Sequence, residues 1–121
     1  MNEILFLMLA LFTKHAVVDF PLQGPYQWMN KGTYLHPGGL LHATLHGLFT
    51  VLCFWCYAPL ACIWLGIIDG IIHYHIDWAK MNLNAWFGWK ADTHEEFWWL
   101  LGLDQYLHAL TYIGLVAMVT V

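Results

Sequence analysis

Long apolar runs separated by short polar connections set the pattern of this chain. Four stretches, roughly Glu3–Leu22, Gly39–Ala58, Leu60–Ala79 and Glu95–Val121, are long and apolar enough to be read as bilayer-crossing helices, each of which takes about 20 residues. The predicted architecture is all-α: a polytopic membrane protein, an antiparallel four-helix transmembrane bundle forming a single domain over residues 1–121. The first run opens Met-Asn-Glu instead of with basic residues, and no small-residue cleavage site follows it, so it reads as a retained span and not a signal peptide.

The punctuation between the runs is local chemistry. "DFPLQGP" ends the first, with Pro21 and Pro25 disturbing the helix and Gly24 offering a turn. Pro59, in "CYAPLAC", marks a tight hairpin between the second and third runs. In "KMNLNAWFGWKADTHEE", Trp86, Phe87 and Trp89 predict a short interfacial helix. Thr93 and Glu96 have the spacing of a capping box, with Asp92 as a further cap, which starts the last helix there.

Polar residues inside the apolar runs are not scattered. The first run carries His15-x-x-x-Asp19, the second His42-x-x-x-His46, the third His73-x-x-x-Asp77 with Asp69 one turn earlier, and the fourth Asp104-x-x-x-His108. Residues at i and i+4 share one helix face. Thirteen His and Asp residues placed at random would give about 1.4 such pairs by template counting; the chain has five, with at least one on every run. In an up-down bundle the pairs fall into two layers, about 6 Å apart by the helical rise. Asp19, His42, Asp77 and Asp104 form the layer nearer the surface, and His15, His46, His73 and His108 the deeper, all-histidine layer.

Composition narrows the function classes. The chain is 60% hydrophobic and only 10% charged, against about 25% charged in soluble domains. Arginine is absent and lysine occurs four times, which excludes a nucleic-acid partner, since phosphate neutralisation needs many cations. Lys31, Lys80 and Lys90 fall in or beside the connections on one side of the expected bundle. The positive-inside rule then puts those connections in the cytoplasm and both termini outside, in a bacterial inner membrane. Tryptophans 28, 78, 86, 89, 98 and 99 fall near that side and Trp55 and Trp64 near the other, as aromatic belts do. Cys53, Cys56 and Cys62 read as small buried hydrophobes, although Cys53 and Cys56 have redox or metal spacing.

Two chemical readings of the ionisable stripes compete. Polar side chains glue membrane helices together, but glue rarely needs eight ionisable groups at one level, each costly to bury unpaired. Metal binding explains the number: imidazole and carboxylate suit zinc, iron and manganese, the cation offsets burial of aspartate, and bundles build metal sites from inward-facing side chains of four helices. The expected ligands are His15, Asp19, His42, His46, His73, Asp77, Asp104 and His108, holding one or two divalent ions, zinc first and iron or manganese as alternatives. Gln23, Asp69, Lys80 and Gln105 are expected around them, with Asp69 a partner for His73 or a packing group and Lys80 a snorkelling anchor, a neutraliser of Asp77 or a site for an anionic substrate group. His75 points off the stripe, and His36 and His94 read as interfacial or capping residues.

The stretches "HAVVDFPLQ", "LLHATLH", "HYHIDWAK" and "LDQYLHAL" together resemble a family of small uncharacterised bacterial and phage inner-membrane proteins. Its pattern is H-x-x-x-D-F-x-L-Q early, a histidine-bearing second helix, H-x-x-x-D-x-x-K third and D-Q-x-x-H last. The resemblance covers nearly the whole chain and implies roles for His15, Asp19, Gln23, His42, His46, His73, Asp77, Lys80, Asp104, Gln105 and His108, without an activity. A looser similarity links the His/Asp pairs to integral-membrane metal-dependent hydrolases, as analogy only.

The expected function is a membrane-embedded metal-dependent hydrolase. The metal activates water, Asp19, Asp77 or Asp104 serves as general base, and a lipid or amphipathic substrate enters from the cytoplasmic interface. One alternative is a non-enzymatic, metal-stabilised membrane module: an ion carrier, or a phage protein acting on a host membrane partner. A further one is a dinuclear iron oxidase or desaturase. A homo-oligomer is left open.

Overall fold

The computed structural model describes residues 2–121. It is all-helical over those residues, in five helices: α1 (Glu3–Asp19), α2 (Pro25–Trp28), α3 (Pro37–Phe54), α4 (Cys62–Phe87) and α5 (Glu95–Thr120). Around the bundle, α1 packs on α3 and α5, and α4 packs on α3 and α5, while the short α2 leans on α3. Neighbouring long helices run antiparallel. Gly47 meets Gly66 where Ala43 meets Gly70, and Asp77 lies beside His108 where Lys80 lies beside Asp104.

Local chemistry sets the helix ends. Asn2 caps α1 by accepting the Ile4 N–H at 2.8 Å, and His36 caps α3 through Nδ1, which accepts the Gly38 N–H at 3.0 Å. Pro25 and Pro37 stand in the first turns of α2 and α3, where a missing N–H costs nothing. The cap of α5 is His94, not Thr93 or Asp92, and no side-chain cap bond is made there. Thr93 and the Lys90 N–H instead both engage His94 Nδ1, at 2.9 and 3.1 Å.

The connection before α5 departs from expectation in another way. No separate interfacial helix forms around Trp86, Phe87 and Trp89. Helix α4 simply continues through Phe87 and stops at Gly88, whose φ of 66° is the left-handed conformation that ends helices. The one short helix, α2, lies in the first connection instead.

The interior divides in two along the bundle. At the end holding the α3–α4 hairpin, Leu7, Leu11, Phe54, Leu65, Leu115 and Val116 belong to an apolar core. The other half of the interior is polar, with His42, His46, His73, Asp77, Asp104 and His108 all buried. The α3–α4 crossing is close because it is made of glycine: a Cβ on Gly66 would stand 2.6 Å from the Gly47 carbonyl oxygen.

Of the long helices only α3 is long and apolar enough to cross a membrane by length and composition. The four-span expectation is not met by the others on that measure. Helix α1 has 17 residues, and α4 and α5 carry charged residues, Asp69, Asp77 and Lys80 on one and Glu95, Glu96 and Asp104 on the other.

Candidate metal centre

Four helix faces converge on one cluster. The stripes His15–Asp19 of α1, His42–His46 of α3, Asp69–His73–Asp77 of α4 and Asp104–His108 of α5 all turn inward, because each pair repeats at i, i+4. The His46 and His73 rings stack with centroids 3.5 Å apart, and His73 and His108 stack at 4.0 Å. His15 lies 5.1–5.9 Å from all three.

The Nε2 atoms of these rings meet the carboxylates. Asp19 Oδ1 lies 2.8 Å from His46 Nε2 and 3.2 Å from His42 Nε2, and Asp19 Oδ2 lies 3.0 Å from His15 Nε2. Asp77 Oδ1 lies 3.2 Å from His108 Nε2, while Asp77 Oδ2 lies 3.1 Å from His73 Nε2 and 3.3 Å from His42 Nε2. Asp104 Oδ1 is 3.4 Å from His108 Nε2. His42 and His73 bring their Nε2 atoms within 3.3 Å of each other.

Two sets of donor atoms are close enough to share a cation: Asp19, His42, His46 and His73, and His73, Asp77 and His108. These buried His/Asp clusters can hold a metal ion. Two observations fit that group. The donor set of imidazoles with carboxylate is of the kind taken by zinc, iron or manganese. And Asp77 Oδ2, from a residue of the second set, is a buried carboxylate oxygen that makes no hydrogen bond, a costly state that a cation would relieve. His73 belongs to both sets, and its single Nε2 lone pair serves one ion at a time. His15 and Asp104 lie beside the two sets, outside both.

The surrounding residues depart from expectation in informative ways. Asp69 does not reach His73. Its Oδ2 accepts from Lys14 Nζ at 2.6 Å and from Thr50 Oγ1 at 2.5 Å. Lys80 pairs with Asp104, at 3.4 Å, and not with Asp77. The cation beside Asp77 is Lys31, at 3.5 Å, a lysine expected in the solvated connection but buried here, where it donates to Gln23 Oε1 at 3.1 Å. Gln23 in turn donates to the Asp19 carbonyl at 2.6 Å. Gln105 spans Asp104 Oδ2 and His15 Nε2, both at 3.0 Å. His75 stays outside, against Tyr34 and the Ile71 carbonyl.

Four residues of the cluster escaped the sequence reading: Lys14, Gln27, Thr50 and Tyr112. Lys14 Nζ donates to His46 Nδ1 at 3.1 Å and sits 4.7 Å over the Tyr112 ring. Tyr112 hydroxyl is 2.7 Å from His15 Nδ1, and His42 Nδ1 is 3.1 Å from Gln27 Oε1. Three of them carried a signal. Thr50 follows His46 by four and Tyr112 follows His108 by four, one turn further along the same stripes, and Lys14 lies on the Leu7–Leu11–Val18 stripe. Gln27 sits in the short α2, and no periodicity points to it.

An all-helical protein with a buried His/Asp cluster shared by four helices is the class that this fold and site define. The chain belongs to the family described as protein of unknown function (DUF3307), whose model matches residues 6–121. No curated protein and no solved structure matches the chain.

Proposed function

We propose that this chain is a membrane-embedded, metal-dependent hydrolase, with zinc as its first-choice ion and a lipid or other amphipathic molecule as its substrate. The observation that carries the reading is the meeting of His42 Nε2 with Asp19 Oδ1, Asp77 Oδ2 and His73 Nε2, all within 3.3 Å, with His42, Asp77 and His73 buried. Lone pairs crowded in this way favour a cation between them.

Membrane embedding is supported by the reversed distribution of polarity. Phe6, Leu9, Leu52, Trp64, Ile71 and Ile113 are exposed while the histidines and aspartates lie inside. Exposed apolar surface on this scale is a mark of interaction with lipid or partners. In this reading the four long helices all span, with Lys31, Lys80 and Lys90 toward the cytoplasm.

A bound zinc would lower the pKa of a water and polarise a substrate carbonyl or phosphoryl oxygen. Asp104 is the residue we assign as general base. Its Oδ1 has no hydrogen-bond partner, it lies outside both ligand sets, and its other oxygen is held by Lys80 and Gln105. Asp104 and Lys80 also line a groove between α4 and α5 whose walls are apolar, among them Ile72, Ile76, Leu83, Leu103 and Leu107. An acyl chain fits those walls, with the group to be cut toward Asp104.

The decisive experiment is metal analysis by mass spectrometry on tag-free protein, combined with hydrolysis assays on phosphatidylethanolamine–phosphatidylglycerol vesicles. Bound zinc with release of fatty acid or headgroup, abolished in Asp104→Asn at unchanged zinc content, is the expected result. A folded chain free of metal overturns the reading.

The complete burial of His46 and His73 favours a second reading, a metal-stabilised module without catalysis. Full coordination with no open position would identify it, since catalytic zinc keeps one position free. Visible absorption of the oxidised protein would point to iron instead.

A further inference from the structure

We infer that two glutamines give His42 and His15 opposite tautomers: Gln27 holds the proton of His42 on Nδ1, leaving Nε2 bare toward the centre, and Gln105 holds the proton of His15 on Nε2, making it a positioning residue for Asp19. The bare Nε2 of His42 rests on the metal-centre reading, since a cation is what keeps a proton from the side facing two carboxylates; the proton on His42 Nδ1 and the tautomer of His15 rest on hydrogen bonds.

A primary amide has a donor end and an acceptor end, and a neighbour that can only accept tells them apart. Gln27 Nε2 lies 2.9 Å from the Leu22 carbonyl oxygen, which only accepts. The amide is therefore fixed with Oε1 facing His42 Nδ1 at 3.1 Å. An acceptor at that place requires the proton on Nδ1, and a neutral imidazole has only one. The Nε2 lone pair of His42 then points at Asp19, Asp77 and His73. A ligating histidine is held in this way, its far nitrogen donating to a fixed acceptor. Gln27 is itself buried, so water does not compete for the bond.

The opposite holds at His15. Gln105 donates through Nε2 to Asp104 Oδ2 at 3.0 Å, which turns Oε1 toward His15 Nε2, also at 3.0 Å. These contacts put the proton on Nε2, where it is shared with Asp19 Oδ2 at 3.0 Å, and the Tyr112 hydroxyl, 2.7 Å from Nδ1 on the other side of the ring, is then free to donate to it. With only acceptors beside that nitrogen and His15 outside both donor sets, the proton stays in place and His15 does not ligate. His15 therefore holds Asp19 by Oδ2 and turns Oδ1 to the centre, where it meets His42 and His46. Of the eight residues expected as ligands, His15 is reassigned to positioning, in keeping with its place outside both donor sets.

The test reads tautomers and metal separately. Imidazole nitrogen-15 NMR on the full chain, stripped with chelator and held in lipid nanodiscs, is expected to show His42 protonated on Nδ1 and His15 on Nε2. Gln27→Leu should erase the His42 preference and weaken zinc binding about 10–100-fold, and Gln27→Glu, which keeps an acceptor, should restore both. His15→Gln, whose amide can still donate to Asp19, should retain the metal content and cobalt absorption spectrum of the unaltered chain, where His42→Gln loses both. The opposite tautomer at either histidine of the unaltered chain overturns the inference, as does loss of metal in a folded His15→Gln protein. The stated tautomers in a chain that takes up neither zinc nor cobalt would overturn the metal-centre reading and leave the tautomer assignment standing.

Discussion

Lys14 Nζ lies 2.6 Å from Asp69 Oδ2 in the interior of the bundle, with both side chains almost fully buried. This ion pair joins α1 to α4, helices whose backbones do not approach each other. Thr50 supplies a second hydrogen bond to the same carboxylate oxygen, and Lys14 also reaches His46. The pair therefore sits at the junction between the apolar core and the His/Asp cluster.

Removing one partner leaves the other charge buried and alone, which costs about 3–5 kcal/mol. Lys14→Met and Asp69→Leu should each destabilise the chain by that order. The double variant should be less damaged than the sum of the two, and a double-mutant cycle by denaturant unfolding in micelles measures the coupling. Additive effects would show the pair to be energetically silent.

Metal should couple to folding, because the first donor set draws on α1, α3 and α4 and the second on α4 and α5. Zinc at 100 times its dissociation constant is expected to raise the unfolding free energy by about 2.7 kcal/mol, and chelator should reverse the gain. His46→Ala should abolish the zinc-dependent shift, whereas His75→Ala, outside the cluster, should leave it intact. Thermal melts with and without zinc make the comparison.

The glycine crossing sets the distance between His46 and His73. Gly66→Ala places a Cβ against the Gly47 carbonyl and the Val51 side chain, so α3 and α4 must separate. Overpacking of this kind costs about 1–3 kcal/mol. Zinc affinity should fall with stability, while Gly114→Ala, with open space around it, should leave zinc affinity unchanged and add about 0.5–1 kcal/mol of helix stability. Parallel unfolding and zinc titrations check both.

Gly88 ends α4 with a positive φ, and its N–H bonds to the Asn84 carbonyl at 2.8 Å. Gly88→Ala has room for the methyl group but must hold an L-residue in the left-handed region, at about 1–2 kcal/mol. The expected result is a lower melting temperature with metal content preserved, since the strain lies away from the cluster.

The helices and the residues facing inward were legible from the chain alone. Period-3.6 spacing puts i and i+4 on one face whatever the partner helix, so His15–Asp19, His42–His46, His73–Asp77 and Asp104–His108 marked the inner faces in advance. The same spacing extended by one turn reaches Thr50 and Tyr112. The length of α4 and the cap of α5 differ from the pattern's expectation because both turn on local competition. Helical pattern ran on past Lys80 until Gly88 stopped it, and His94 took the cap position from Thr93.

What the sequence by itself determined, then, is which residues turn inward, because helical periodicity is a property of the backbone. Which of them meet was decided only by the tertiary structure. Asp69 found Lys14 and not His73, Lys80 found Asp104, and Lys31 came in from a connection to Asp77. Gln27 reached His42 from a short helix with no periodic signal. Pairing between charges depends on the rotation and separation of whole helices, here governed by the Gly47–Gly66 crossing, and a local pattern carries no record of either.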